Sequence, residues 1–145
     1  MKLLPLQGID QLRFGDPTER ALELFGPPEV WRSHPEQRQQ TSVSFDRGFL
    51  TFGFDAGDRL TFIAVRQGES RVELWGHDPF TVAQRPPDAA SSLRQWLEQT
   101  GRRVRPHEDS LGGSFEVPDA GVVFCFSASK PGVLDGVQLV DTRLP

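Results

Sequence analysis

The fold is decided by residues 46–65, which have the sequence DRGFLTFGFDAGDRLTFIAV. Leu50, Phe52 and Phe54 alternate with other residues at the period of two that is typical of a strand with one buried face. Residues 55–58 follow, and their glycine and two aspartates favour a tight turn. The stretch therefore predicts a β-hairpin whose first strand buries these three side chains.

A helix precedes a set of strands in each half of the chain. The first helix is predicted to have Asp16 as its N-cap and to end at Gly26. The second is predicted to have Asp88 as its N-cap and to run to about Thr100. Besides the hairpin, we expect a short strand or an extended lead-in at 8–14, strands at 29–32, 41–45, 71–75, 114–117, 122–126 and around 137–139, and a linker at 81–87. This order predicts an α+β fold.

The two halves share one pattern at an offset of 72 residues. Val122, Phe124 and Phe126 match the hairpin residues at this offset, and the apolar stripe Leu93, Trp96 and Leu97 matches Ala21, Leu24 and Phe25. We interpret the halves, 1–80 and 81–145, as two tandem units of a helix and an antiparallel meander that form one compact globule; independent convergence on the same pattern is the alternative. Because a unit of about 70 residues buries little surface alone, we expect the sheets to join edge to edge. The helices would then lie on one face of the sheet, and the other face would be open to water or a partner.

Composition argues against several classes of protein. A net charge of −4 and a pI near 5.3 are unfavourable for binding nucleic acid, which needs a basic face. Cys125 is the only cysteine, so no internal disulfide is possible. The first residues lack the pattern of a signal peptide, and no run approaches the roughly 20 apolar residues of a membrane helix. The expected location is the cytoplasm.

The sequence contains no motif of catalysis or cofactor binding. The three histidines, His34, His77 and His107, are far apart and lack metal-ligand spacing. The expectation is therefore no enzyme activity, no metal and no cofactor. Convergence of a histidine with carboxylates in one cleft would be needed for an acid–base site.

Aromatic residues beside charged ones suggest a protein-binding surface, because Trp and Arg are enriched at binding hot spots. Ile63, with Thr61, is expected to share the open face of the first sheet with Phe49. Acidic loop residues could steer a basic partner. The alternatives are that Trp75 packs under a loop or beneath the second unit, and that the acidic residues only aid solubility. The candidate partner-binding residues are Trp31, Phe49, Ile63, Arg71, Glu73, Trp75, Glu108 and Asp109.

The order of helix and meander, repeated in tandem, is similar to the β-lactamase-inhibitor-protein-like architecture. Residues 12–19, LRFGDPTE, and 24–28, LFGPP, resemble the opening of small bacterial proteins of that type and of the outer-membrane-assembly lipoprotein type. Residues 115–124, FEVPDAGVVF, resemble small cytoplasmic immunity proteins that neutralise a bacterial toxin. This chain lacks the disulfides of the secreted inhibitor and the acylated cysteine of the lipoproteins.

The resemblance implies a non-catalytic cytoplasmic protein that occludes a cognate toxin, with a basic toxin domain as its partner. The alternative is a small-molecule-binding or sensing domain, with a pocket between helix and sheet or between the units.

Overall fold

The computed structural model describes residues 1–36, 40–68, 71–85, 88–106, 114–127 and 133–143. The fold is α+β, as predicted from the sequence. The helices of the described residues are α1 (Thr18–Phe25), α2 (Pro79–Val82) and α3 (Ala89–Gln99). Their strands are β1 (Lys2–Leu4), β2 (Gly8–Ile9), β3 (Leu12–Arg13), β4 (Val30–Ser33), β5 (Thr41–Phe45), β6 (Leu50–Phe54), β7 (Leu60–Arg66), β8 (Glu73–Leu74), β9 (Arg105–Pro106), β10 (Phe115–Val117), β11 (Val122–Phe126) and β12 (Leu134–Val140).

Strands from both halves of the chain form one large antiparallel sheet, in the order β4-β5-β6-β7-β12-β11-β10-β9. The strands of each half form a four-stranded meander, and the two meanders meet where β7 pairs with β12. Ile63 lies opposite Leu139 in this pair, and Val65 lies opposite Val137. One sheet therefore spans the residue 80/81 boundary; the origin of the halves by duplication stays a prediction.

Both longer helices pack on the same face of the large sheet. The ring of Phe25 in α1 lies 5.0 Å from the ring of Phe52, and the ring of Trp96 in α3 lies 6.5 Å from that of Phe124. Pairing between strands places these partners on one face, because directly opposed residues of an antiparallel pair point the same way. Burial of this face forms the main core, in which Phe52, Ile63, Phe124 and Leu139 are all 0% exposed.

A second, small sheet of short strands completes the core. Its order is β3-β2-β1-β8, and β1 pairs in parallel with β8. Leu3, Ile9, Leu12 and Leu74 of this sheet are almost fully buried and belong to the main core cluster. The sequence did not predict β1, because strands of two or three residues carry too little alternation to be recognised.

The caps of the helices differ from one another. Asp88 accepts a hydrogen bond from the Ser91 backbone N–H at 2.8 Å, which confirms the predicted cap of α3. Asp16 does not cap α1; its carboxylate accepts from the Arg13 N–H at 2.8 Å. Asp58, in the hairpin turn, accepts from the N–H of Thr18 instead. A cap supplied by a distant turn leaves no local signature in the sequence.

The predicted linker at 81–87 is wrong for its first residues, which belong to the short helix α2. Asp78 accepts a hydrogen bond from the Phe80 N–H at 2.9 Å, and Pro79 occupies the first helical position. Phe80 and Val82 are buried in the core. Four residues are too few to show helical periodicity, so the cap and the proline were the available signals.

Candidate protein-binding surface

The face of the large sheet opposite α1 and α3 is here called the open face. Pairing between strands aligns Ser44, Thr51, Ala64, Gln138 and Val123 in one row across it. Thr51, Ala64 and Gln138 are half-buried although they lie at the centre of the sheet, whereas Val123 at the end of the row is buried, with 5% exposure. A covering layer would bury the three central residues as fully as the residues of the helix-covered face. The centre of the open face is therefore accessible.

Small side chains occupy the central row in the first half of the open face. The hydroxyls of Ser44 and Thr51 are hydrogen-bonded at 3.1 Å, and Ala64 lies beside them in the row. Strands about 4.8 Å apart and five residues long give the eight-stranded sheet a face of roughly 34 Å by 17 Å. Outside this central row, the open face carries Val30, Arg32, Ser42, Phe62, Arg66, Arg105, Glu116, Cys125 and Val140.

Charges on and beside the open face are largely paired. Arg66 forms an ion pair with Asp135 at 3.2 Å, and Arg105 forms one with Glu116 at 2.8 Å. Exposed pairs of this kind contribute little to stability. Within the described ranges Arg32 has no such partner. Among the described residues the open face is thus close to electrically balanced, with one unpaired cation, Arg32, at its β4 edge.

Ile63 does not lie on the open face, and the expectation that it does is wrong. It is 0% exposed and lies directly opposite Phe52 in the β6–β7 pair and opposite Leu139 in the β7–β12 pair. The turn at 55–58 and the irregular pairing at Gly53/Phe54 fix this register. The sequence pattern of β7 alone did not reveal which alternate set was buried.

Phe49 lies in the turn before β6 instead of on the open face. Its backbone is helical, with φ of −69° and ψ of −22°, so the alternation of β6 does not extend to it. Its half-buried ring covers Gly68, where an added Cβ would come within 3.0 Å of the ring. A cleft of about 260 Å³ adjoins this ring and is lined by Met1, Glu29, Asp46, Arg47, Phe49, Arg66 and Gly68.

Trp31 lies on the edge strand β4 and is 57% exposed. It is paired with Val43, which is paired with Phe52, so it lies on the helix-covered face. Its exposure follows from its position at the edge of the sheet. Among the predicted binding residues that the structure describes, Trp31 is the only one with an exposed aromatic side chain.

Arg71, Glu73 and Trp75 lie at or beside the small sheet. Met1, which lines the cleft beside Phe49, also lines a cleft with Arg71 and Glu73. Glu73 is in β8. Arg71 is exposed, and its backbone carbonyl accepts a hydrogen bond from the Met1 amino group at 2.9 Å. Trp75 is half-buried next to Trp96, with ring centroids 6.1 Å apart. This is the packing alternative that the sequence left open.

The other face of Trp75 is covered by Arg102, whose guanidinium carbon lies 3.9 Å from the ring centroid. The backbone of Trp75 has a φ of 50°, which is unfavourable for a bulky residue. The contacts of the Trp75 ring with Arg102 and with Trp96 hold the residue in this conformation. The predicted residues Glu108 and Asp109 lie outside the described residues.

The sequence did not single out the central residues of the open face. Thr51, Ala64 and Gln138 are small or polar, so the alternation in β6, β7 and β12 assigns them only to a solvent face. The signal that could have found them is the edge-to-edge joining of the two meanders, which brings solvent faces from both halves together.

Among the described residues no group of three or more His, Cys, Asp or Glu side chains could hold a metal ion. His34 is half-buried after β4, whereas the exposed His77 has its ring 5.7 Å from that of Trp96. His107 lies outside the described residues. Across the described ranges, none of the helices has the length and apolar character required to cross a membrane.

Comparisons of the chain with family models, with curated proteins and with solved structures find no match. The interpretation of the open face therefore depends on its own geometry and chemistry.

Proposed function

We propose that this chain is a non-catalytic protein-binding module whose open face receives a partner protein. Its most concrete form is a cytoplasmic immunity-type inhibitor of bacterial origin, which occludes a cognate toxin. The accessible centre of an eight-stranded sheet is the observation that carries the proposal. An antiparallel sheet with one solvated face is common, but here that face is wide and continuous across both halves of the chain.

The size of the open face suits a protein partner. Its roughly 34 Å by 17 Å correspond to nearly 600 Å², and a standard interface buries about 800 Å² on each partner. Loops at the rim would supply the difference. Small central side chains such as Ala64 let a partner's side chains approach the backbone closely, which favours shape complementarity.

The partner proposed from the sequence is a basic toxin domain. The net charge of −4 supports this choice because it accelerates encounters with basic proteins. The balanced charge of the open face itself leaves specificity to shape and hydrogen bonds. Inhibition would then be steric, and no residue of this chain would take part in chemistry.

The alternative, a small-molecule-binding domain, has less support. The cleft beside Phe49 holds about 260 Å³, slightly below the range of typical ligand sites, and charges of both signs line it. Two larger clefts, of about 470 Å³ beside Leu24 and Phe25 and about 440 Å³ beside Arg71 and Glu73, are more open to solvent.

Binding to the protein encoded beside its gene tests the proposal. Ala64→Arg places a long charged side chain at the centre of the open face. We expect it to weaken the complex at least 100-fold, an effect of the size seen at central interface positions. Calorimetric titration measures the affinity, and rescue of a toxin-arrested culture measures the function.

Glu98→Arg is the matched control, because Glu98 is exposed on α3, on the helix side of the sheet. It adds the same side chain at a site remote from the open face, so we expect it to retain the native affinity. Equal affinities of the two variants, or no complex with the native protein, would overturn the proposal.

A further inference from the structure

The strand β4 is an unprotected edge of the large sheet. All four of its residues are exposed, and two of them, Val30 and Trp31, are large apolar residues at 40% and 57% exposure. The opposite edge, β9, has two residues, one of which is the proline Pro106. Short edges and edges that contain proline resist further pairing, whereas β4 has four residues and no proline. Its one charged side chain, Arg32, opposes pairing with a like charge but permits pairing with an opposite one.

The backbone groups that β4 presents outward can be identified from its pairing with β5. The His34 N–H donates to the Gln40 carbonyl at 2.5 Å, which continues the register in which Ser33 pairs with Thr41. In an antiparallel pair, alternate residues turn both backbone groups toward the partner strand. Residues 30, 32 and 34 therefore face β5, and Trp31 and Ser33 direct their N–H and carbonyl groups outward.

The side chains of β4 also differ between the two faces. Trp31 lies on the helix-covered face, and Arg32 lies on the open face, because they pair with Val43 and Ser42 respectively. The Arg32 side chain has no ion-pair partner in the described parts of the chain.

A second copy of the chain is a poor occupant of this edge. An antiparallel self-pairing that uses the outward groups of both Trp31 and Ser33 places Arg32 directly opposite the Arg32 of the second copy. Directly opposed like charges destabilise a strand pair. The same position attracts an acidic side chain, so the charge of Arg32 selects for a different partner.

We infer that β4 accepts an extended strand of the partner protein, with an acidic residue opposite Arg32 and apolar residues beside Trp31. The added strand would form backbone hydrogen bonds with Trp31 and Ser33, the mode of recognition known as strand addition. This inference rests on the proposed binding function and extends it, because Val30 and Arg32 join the added strand to the open face.

A synthetic peptide tests the inference without the partner. The probe is acetyl-Thr-Thr-Val-Glu-Val-Thr-Thr-amide, and the control peptide carries lysine in place of glutamate. We expect the glutamate peptide to shift the backbone amide resonances of Trp31 and Ser33 in a titration. The lysine peptide should bind at least tenfold more weakly, and Arg32→Glu should reverse this preference.

Proline variants separate edge pairing from folding. Trp31→Pro removes an outward N–H, so the protein should fold and lose the peptide. Arg32→Pro removes an N–H directed at β5 and should destabilise the fold.

Three outcomes of the peptide titration would overturn the inference: equal binding of the two peptides, resonance shifts confined to residues other than Trp31 and Ser33, or no resonance shifts. Self-association of the native protein that Trp31→Pro abolishes would identify a second copy as the occupant and also overturn it. If the glutamate peptide does not bind, the affinity measurement of the Ala64→Arg variant still tests the proposed function, because that measurement does not depend on β4.

Discussion

Asp58 accepts two hydrogen bonds from Thr18, a residue that precedes it by 40 positions. The Thr18 backbone N–H lies 3.2 Å from Asp58 Oδ1, and the Thr18 hydroxyl lies 2.5 Å from the same atom. Pro17 precedes Thr18 and has no side-chain acceptor for the first amide of α1. The hairpin turn thus caps the helix, which couples the first helix to the register of β6 and β7.

This coupling predicts that Asp58→Ala lowers the free energy of unfolding by about 1–3 kcal/mol. Loss of the cap accounts for about 1 kcal/mol, and the φ of 56° at Asp58 adds the cost of a left-handed alanine. Asp58→Asn should retain most of the stability, because asparagine tolerates this conformation and keeps an acceptor. Asp58→Gly tolerates the positive φ at this position but removes the acceptor for the Thr18 N–H. Urea unfolding gives the values, and a fully stable Asp58→Gly protein would show that the cap contributes nothing.

The burial of Ile63 has a direct consequence for stability. Ile63→Ala should cost about 2–5 kcal/mol, because it leaves a cavity between Phe52 and Leu139. The neighbouring Ala64→Ser, on the open face, should change stability by less than about 0.5 kcal/mol. Chemical denaturation gives the free energy of unfolding of both variants, and their difference compares the buried and the open face of β7 at adjacent positions. Similar small losses for both would contradict the register described above.

Phe52 and Phe49 should respond differently to a charge. Phe52→Asp places an unpaired carboxylate at a position with 0% exposure, which costs several kcal/mol and should unfold the protein. Phe49→Asp removes a half-buried ring from a turn, with its contact to Gly68, and should leave a cooperatively folded protein. Circular dichroism during heating distinguishes these outcomes, and an unfolded Phe49→Asp protein would be inconsistent with the position of Phe49 in a turn.

Asp141 predicts a dependence of stability on pH. Two hydrogen bonds from the Arg143 guanidinium, each 2.9 Å long, lower the pKa of Asp141 below its ordinary value of 3.8. A carboxyl whose pKa is depressed in the folded state stabilises the protein above the unfolded pKa, and this contribution is lost as the pH falls through the folded pKa.

The free energy of unfolding should therefore fall below about pH 4, and Asp141→Asn should reduce the slope there without changing it near pH 7. Urea titrations across this range provide the measurement. A native slope in the Asn variant would assign the acid sensitivity to other groups.

The sequence was sufficient for the alternation of β5, β6 and β11, because each has a buried side chain at every second position over five residues. It was sufficient for α3, where Asp88 and an apolar stripe mark the helix. The predicted extended segments at 8–14 and 71–75 contain β2, β3 and β8. The sequence was insufficient for β1 and for the pairing of these short strands into a sheet, and for the cap from Asp58, which depends on tertiary structure.

The candidate surface was less predictable than the fold. Trp31 could be identified as an exposed aromatic residue, but Ile63 could not be placed without the register across β6. The row of Thr51, Ala64 and Gln138 exists only because β7 pairs with β12. Residues of a composite face carry no individual signal of binding in the sequence.

Cys125 provides a native reporter of the open face. It pairs with Gly136, which pairs with Arg66, and its half-buried thiol is the only one in the chain. Burial, with a smaller effect of Asp135, raises the pKa of the Cys125 thiol above 9.0. Alkylation by iodoacetamide should therefore be slow at neutral pH and faster near pH 9.

The most direct test of the binding surface is the rate of Cys125 alkylation with and without a saturating partner. We expect the partner to slow this rate at least tenfold by covering the open face. A Glu98→Cys thiol on α3, in a Cys125→Ser background, should react at the same rate in both states. An unchanged rate at Cys125 in the complex, or protection of the thiol on α3 instead, would contradict the assignment of the open face as the binding surface.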